Sequence, residues 1–426
     1  MYLRSSKWSM TRKRKPVHWF RIILLAILVA VAFYVQRVVL PTIPPPFVPT
    51  PTVTRNPVSY LADAEKAFAS GKLQATIDAY NDARKANPNE ASVYISLARV
   101  QIYAGKYDDA FANAGNAILL DANNSMAHAV RGWAQFQKGD NASAETSIQR
   151  ALELDPNNGM AHAYYAVLLG TQYVNGTGAL DGLKIAIEES KAAIALAPNT
   201  IEAHRARGYI LEITANREQA VDEYKNAIAL NANIPDLHID LGRTYRALGL
   251  TDMAIQEYTL ANTLNPADPR PSLYASRALS AVGSYAQATQ WAEQAVKDAP
   301  TDPYLRGNWG VMLYHSNDWA AAIIQLSLAV NGGTAEDGQT IEPLSLTGDD
   351  ILTTEFFFTY ALVLARTNRC DQALPVAQLI LSAVPSDETA VYNAQETIRL
   401  CELSMLTPSP VPTAAGTPGA TPTPKP

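Results

Sequence analysis

Six histidines and two cysteines are the side chains in this 426-residue sequence best suited to metal or nucleophile chemistry. His128, His162, His204 and His238 recur at spacings of 34, 42 and 34 residues. One metal ion needs its ligands within about 2 Å, so spacing this wide asks for convergence in space. His315 stands alone, with no nucleophile at motif spacing. The only thiols are Cys370 and Cys401. No phosphate-binding glycine loop, zinc motif, serine-nucleophile elbow or kinase motif is present. Carboxylates are plentiful, but on helix exteriors they read as solvated faces rather than acid/base pairs. The expectation is a protein without catalytic residues, metal or cofactor.

What positions these residues is a 34-residue unit, most legible at Ser125–Asn158 and returning at Pro57–Glu90, Ala91–Asn124, Ile201–Ile234, Pro235–Asp268 and Pro269–Asp302. Each unit holds two short helical patterns. Ala64, Ala98, Gly132, Ala166, Gly208, Gly242, Ser276, Gly310 and Ala361 share one register in the first helix, and all are small. Ala110, Ala144, Ala186, Ala220, Ala254, Ala288, Ala322 and Ala373 share one in the second, with Thr76 the departure. Backbones that approach this closely leave no room for bulk. Gly71, Gly105, Gly139, Gly249 and Gly283 fall between the helices, where a left-handed residue ends the first of them; Asn317 and Asn368 can do the same. Pro88, Pro156, Pro198, Pro266, Pro300 and Pro385 stop the second helix.

This spacing of small residue, alanine and proline resembles the tetratricopeptide repeat over roughly residues 58–403. The resemblance implies an all-α, right-handed solenoid of about nine helix-turn-helix repeats closed by a C-terminal capping helix at 387–403. Two departures are local. The family's large aromatic early in the first helix is a histidine in four copies, and two copies carry insertions, near 172–182 and 331–350. The second insertion is acidic, with Glu336, Asp337, Glu342, Asp349 and Asp350, and Asp337-Gly338 suits a tight hairpin turn. Its spacing does not follow the helix-loop-helix calcium pattern. Equivalent positions of stacked helices lie about 10 Å apart, so the four periodic histidines read as packing residues.

Family membership also implies that the first helices line a concave ligand-binding face. Carried over by register, the inward residues are Arg99, Tyr103, Trp133, Phe136, Arg205, Tyr209, Arg243, Arg246, Arg277 and Tyr314. Arginine and aromatics are the types that favour binding hot spots. The competing reading is that the aromatics fill a narrow groove while the arginines pair with local acids such as Glu202, Glu212 and Asp236. The lysine/asparagine clamp of chaperone-binding members is not reproduced.

Residues 1–55 hold nine of the 34 Lys and Arg and no acid, leaving 25 bases against 40 acids, a balance of −15, in the rest. A body of that sign repels nucleic acid. The basic head fits a membrane instead: residues 22–35 are uninterrupted apolar, and about 20 residues span a bilayer. The expected order is a basic cytoplasmic N-terminus (1–18), one transmembrane helix (19–40), a proline-rich stalk (41–57), the solenoid (58–403) and a disordered Thr/Pro tail (404–426). Positive charge before the span places the solenoid outside a prokaryotic cytoplasmic membrane; a cleaved signal peptide is the alternative. Cys370, opening the last repeat's second helix, and Cys401, near the end of the cap, fall where antiparallel helices would bring them together. A disulfide suits an oxidising exterior; two buried free thiols are the alternative. The functional expectation is a membrane-tethered scaffold binding an extended peptide or protein on the concave face. An accessory glycan-binding subunit of an envelope polysaccharide system and a structural surface protein are the alternatives.

Overall fold

The computed structural model describes residues 19–39, 56–347 and 350–406. The expected basic terminus at 1–18, the stalk up to residue 55, Asp349 of the acidic insertion and the tail from 407 lie outside the described residues.

Two units are present, divided after Arg55. In the first, α1 (Trp19–Tyr34) continues into a π-helical turn at Val35–Val39. Its stretch Trp19–Arg37 is the one helix among the described residues long and apolar enough to cross a bilayer. None of α1 is buried against protein.

The second unit pairs its helices in sequence. The hairpins are α2 (Pro57–Ala69) with α3 (Leu73–Ala86), α4 (Ala91–Tyr103) with α5 (Tyr107–Leu120), and α6 (Ser125–Gln137) with α7 (Asn141–Leu154). Then come α8 (Gly159–Val174) with α9 (Gly182–Leu196), α10 (Ile201–Ile213) with α11 (Arg217–Leu230), and α12 (Pro235–Ala247) with α13 (Thr251–Leu264). The last three are α14 (Pro269–Ala281) with α15 (Tyr285–Asp298), α16 (Pro303–His315) with α17 (Trp319–Asn331), and α18 (Ile351–Arg366) with α19 (Cys370–Ala383), followed by α20 (Glu388–Leu406). Local chemistry sets the boundaries. Asn124, Asn158, Asp268, Asp302 and Asp350 each cap a first helix by accepting a backbone N–H bond with the side chain. Left-handed residues end the first helices at the five expected glycines and at Asn317 and Asn368, and also at Ala215. A left-handed alanine costs about 1–2 kcal/mol, so the surrounding hairpin must hold it there.

The small-residue registers are the packing seams. Where the first helix has glycine, a bulky side chain of the second helix lies on it. A Cβ on Gly208 or Gly242 would come within 2.9 or 2.6 Å of the rings of Tyr224 or Tyr258, and on Gly132 or Gly310 within 2.6 or 2.5 Å of Ile148 or Leu326. Tyr224, Tyr258, Ile148 and Leu326 are fully buried by this arrangement, each burial worth about 1.5–3 kcal/mol.

Both insertions take local structure over their described residues. The first is shared between a longer helix and a longer turn, since α8 runs to Val174 before the turn at 175–181. In the second, β1 (Gly333–Thr334) pairs antiparallel with β2 (Thr340–Ile341), and Gly338 at the tip has φ 85°. Ile341 is buried and Leu344 donates its N–H to the carbonyl of Ala329, which ties the hairpin to the end of α17.

Three of the four periodic histidines are polar latches as well as packing residues; His128 bonds only the Ala122 carbonyl, at 3.0 Å, and its Nδ1 has no partner. His162, His204 and His238 bond the carbonyl six residues earlier (Pro156, Pro198, Ala232) through Nε2, at 2.9, 2.7 and 2.9 Å. Through Nδ1 they meet Glu189, Glu223 and Glu257 of the second helix at 2.5, 2.6 and 2.6 Å. Each therefore ties the end of the preceding repeat to both helices of its own. For His162 the Glu189 bond leads in raising the imidazole pKa, aided by the Pro156 carbonyl and by Asp155. For His238 burial pulls down, but the bonds to Glu257 and Ala232 outweigh it and the result is again above the ordinary 6.5. A group raised on folding adds its stability in full below about pH 6.5 and loses it as pH rises through the raised value. His315, lowered by burial, acts in the opposite sense. The thermal midpoint is therefore expected to fall as pH rises from about 6.5 through the raised histidine values, with a shallower fall in a His162→Gln, His238→Gln variant. An unchanged slope in that variant, read by circular dichroism melts, would assign the dependence to other groups.

Candidate functional site

The inner face of the second unit is built from first helices, and at repeats two to six it is closed across its width. Arg99 of α4 donates from Nε and Nη2 to Oε1 of Glu202 on α10, at 3.1 and 2.7 Å, across 103 residues of sequence. Asn231, after α11, donates to the carbonyl of Phe68 at 2.9 Å. Phe68 packs with Tyr103 on the buried cluster of Ile201, Ala227, Ile234 and Leu237. Gly71, with φ 69°, passes so close to the 231–234 loop that a Cβ there would stand 1.9 Å from that of Asn233. The first repeat thus docks on the fifth and sixth, and the superhelical turn between them shuts.

Inside this turn is a cavity of about 250 Å³. Six of the ten inward residues expected from sequence line it: Tyr103, Trp133, Phe136, Arg205, Tyr209 and Arg243. Arg99 sits beside them, tied to the lining residue Glu202. Three lie elsewhere. Arg246 is exposed at the end of α12, Arg277 approaches Glu355 at 3.6 Å, and Tyr314 lies under the guanidinium of Arg366 at 5.5 Å. Tyr164, Thr171 and Asp240 also line the cavity and were not singled out by register. Tyr164 occupies α8, the helix whose insertion disturbs the repeat count, and Asp240 reads in sequence as one more helical carboxylate.

The cavity has two walls of opposite character. Trp133 stacks on Phe136 at 5.0 Å and on Tyr164 at 4.9 Å between centroids. Facing them are ion pairs. Arg205 Nε donates to Asp240 at 2.7 Å, with Asp236 at 3.7 Å, and Arg243 Nη2 donates to both oxygens of Glu212 at 3.1 and 3.0 Å. These guanidiniums meet acids of this chain, Glu202, Glu212 and Asp236 among them. Burial opposes the charge of Arg99, Arg205 and Arg243, but the neighbouring carboxylates reverse it and all three are raised. Burial pushes the Glu202 carboxyl up, and Arg99 more than cancels this, leaving it lowered. For Glu212 burial prevails with help from Asp240, against Arg243, and the carboxyl is raised.

Comparison with known proteins follows this geometry. A tetratricopeptide repeat profile matches residues 95–159, and a second matches 235–268. The chain carries tetratricopeptide repeats. Among solved structures, a tetratricopeptide repeat protein from Parabacteroides merdae is similar at 16% identity and TM-score 0.43, over 65% of this chain and 99% of that one. Yeast Tom70 is similar at 14% identity and TM-score 0.40, over 82% and 89%. MamA protein is similar at 23% identity and TM-score 0.27, over 41% and 92%. No curated protein matches the chain. Tetratricopeptide repeats indicate a protein-interaction scaffold, and proteins built from them are generally without catalysis.

Proposed function

We propose that this tetratricopeptide-repeat protein is a membrane-tethered scaffold whose concave face binds a peptide or protein segment outside the cytoplasmic membrane. The observation that supports the binding role is the convergence of Trp133, Phe136, Tyr209, Arg205 and Arg243 from three helices on one cavity. Stacked aromatics beside part-buried arginines are the residue types that dominate binding energy elsewhere. Tethering rests on the apolar α1, orientation on the basic residues before it, and an oxidising compartment on the paired Cys370 and Cys401. The body's acidic balance disfavours nucleic acid.

Because Arg243 bridges Glu212 and approaches Asp240, Arg243→Glu would crowd three carboxylates and disturb the fold. Arg246, exposed, is the cleaner charge reversal. The full chain, solubilised in detergent and immobilised, is exposed to envelope extract beside a Trp133→Ala, Arg246→Glu variant. A partner held by the unmodified chain is expected to lose about 2 kcal/mol of binding or more in the variant, with helical content unchanged. Equal retention by both would remove the concave face from the binding reaction.

A further inference from the structure

We propose that the closed turn is also a small-molecule site, taking a free amino acid with an aromatic side chain. This rests on the reading that the inner face is the ligand-bearing face, and it sets a limit on what can enter. With repeat one docked on repeats five and six, and Tyr103 and Glu202 both lining the space at the crossing, the cavity offers room for one side chain or one small molecule rather than for a peptide threaded through the turn. About 250 Å³ lies just below the usual range for pockets that hold compact ligands, about 300–1,000 Å³.

The two walls specify the chemistry. Trp133, Phe136 and Tyr164 offer stacked faces against which one more ring packs in an offset or edge-on arrangement. The opposite wall has unused capacity of both signs. Glu202 is 7% exposed, and its Oε2 and the neighbouring Tyr103 hydroxyl are buried beside each other rather than open to the cavity. Asp240 Oδ1 lies 3.8 Å from Arg243 Nη1, beyond a hydrogen bond. Arg205 spends only Nε, and Arg243 only Nη2, on hydrogen bonds to acids. An α-ammonium meets Asp240 Oδ1, and an α-carboxylate accepts from the free guanidinium N–H groups. A zwitterion adds no net charge to the site, whereas a lone cation or anion would bring a net charge into it.

The test uses the unmodified full chain in detergent, titrated calorimetrically with L-phenylalanine and L-tryptophan. Phenethylamine lacks the carboxylate, phenylpropionate the ammonium, L-alanine the ring, and N-acetylphenylalanine amide both charges. Saturable binding of the two aromatic amino acids is expected, with every truncated analogue weaker by about tenfold or more, as for a lost charged hydrogen bond. No saturable binding of either amino acid overturns the assignment. So does binding of the doubly capped analogue as tightly as phenylalanine, which would make the cavity a seat for a side chain within a peptide. Neither result touches partner capture by the concave face, so the two readings fail separately.

Discussion

Replacing Arg306 by alanine is expected to destabilise the C-terminal repeats by about 3–4 kcal/mol, the largest single-residue effect predicted for this chain. Arg306 is a fully buried side chain near the start of α16. Its Nε and Nη2 donate to the Pro300 carbonyl at 3.1 and 2.9 Å, and Nη1 donates to Gln325 at 2.9 Å. Nη1 and Nη2 also hold Glu336 of the β-hairpin insertion at 3.0 and 2.5 Å. Alanine strands two buried acceptors, each worth about 1–3 kcal/mol when unsatisfied, and removes the packed aliphatic stem. Glu336 is largely exposed and would be solvated, so its charge is not left buried. Arg306 holds the Glu336 carboxyl down to about 2, so this pair persists until pH falls toward that value.

Arg306 is the histidine latch rewritten with a permanent cation. It lies two 34-residue steps after His238, bonds the carbonyl six residues earlier, and reaches the second helix nineteen residues later, as His204 and His238 do. Because a repeat array need not unfold in one step, the measurement is hydrogen exchange over α16–α18 together with urea unfolding. Arg306→His combined with Gln325→Glu should restore part of the loss below about pH 6.5 and progressively less as pH rises through the latched histidine's raised value. A loss under about 1 kcal/mol in Arg306→Ala, the level of a surface pair, would mean that the repeat-to-insertion clamp is not stabilising.

Most of the fold was legible because a solenoid repeats its constraints. Small residues at fixed registers, left-handed positions between helices and prolines after them each recur often enough to be read without partners. The closing of repeat one on repeats five and six was not legible. It depends on the small rotation accumulated at each repeat interface, and Phe68, Gly71, Asn231 and Asn233 carry no local mark of meeting. The site was half legible for the same reason. Register placed Trp133, Phe136, Arg205 and Arg243 on the inner helices, but which of them face one another follows from closure. Carboxylate partners of the histidines and arginines were hidden because an acid on a helix reads the same whether it is solvated or buried. The spacing of 34 did hold one unread signal: it leads from His238 through Ser272 to Arg306.

Reducing the Cys370–Cys401 disulfide is expected to loosen α20 while leaving the first six repeats unchanged. The sulfurs are bonded at 2.14 Å, with the Cα atoms 5.5 Å apart, and join residues 31 apart in sequence. On the chain-entropy model a loop of this length is worth about 3–4 kcal/mol. The two ends of the array are protected differently, which is why the effect should stay local. Repeat one is covered by its own docking on repeats five and six. The last repeat has no such neighbour and depends on α20, which lies along α18 and α19 and buries Ala390, Ala394 and Cys401. Hydrogen exchange within Glu388–Leu406 should accelerate by about a hundredfold on reduction, or in a Cys370→Ala, Cys401→Ala variant. Exchange in α2–α13 should not move, because interactions in a solenoid pass between nearest neighbours. Acceleration that spread to α2–α5 would show that the array unfolds as one cooperative body, and the terminal docking would then be a global rather than a local fastening.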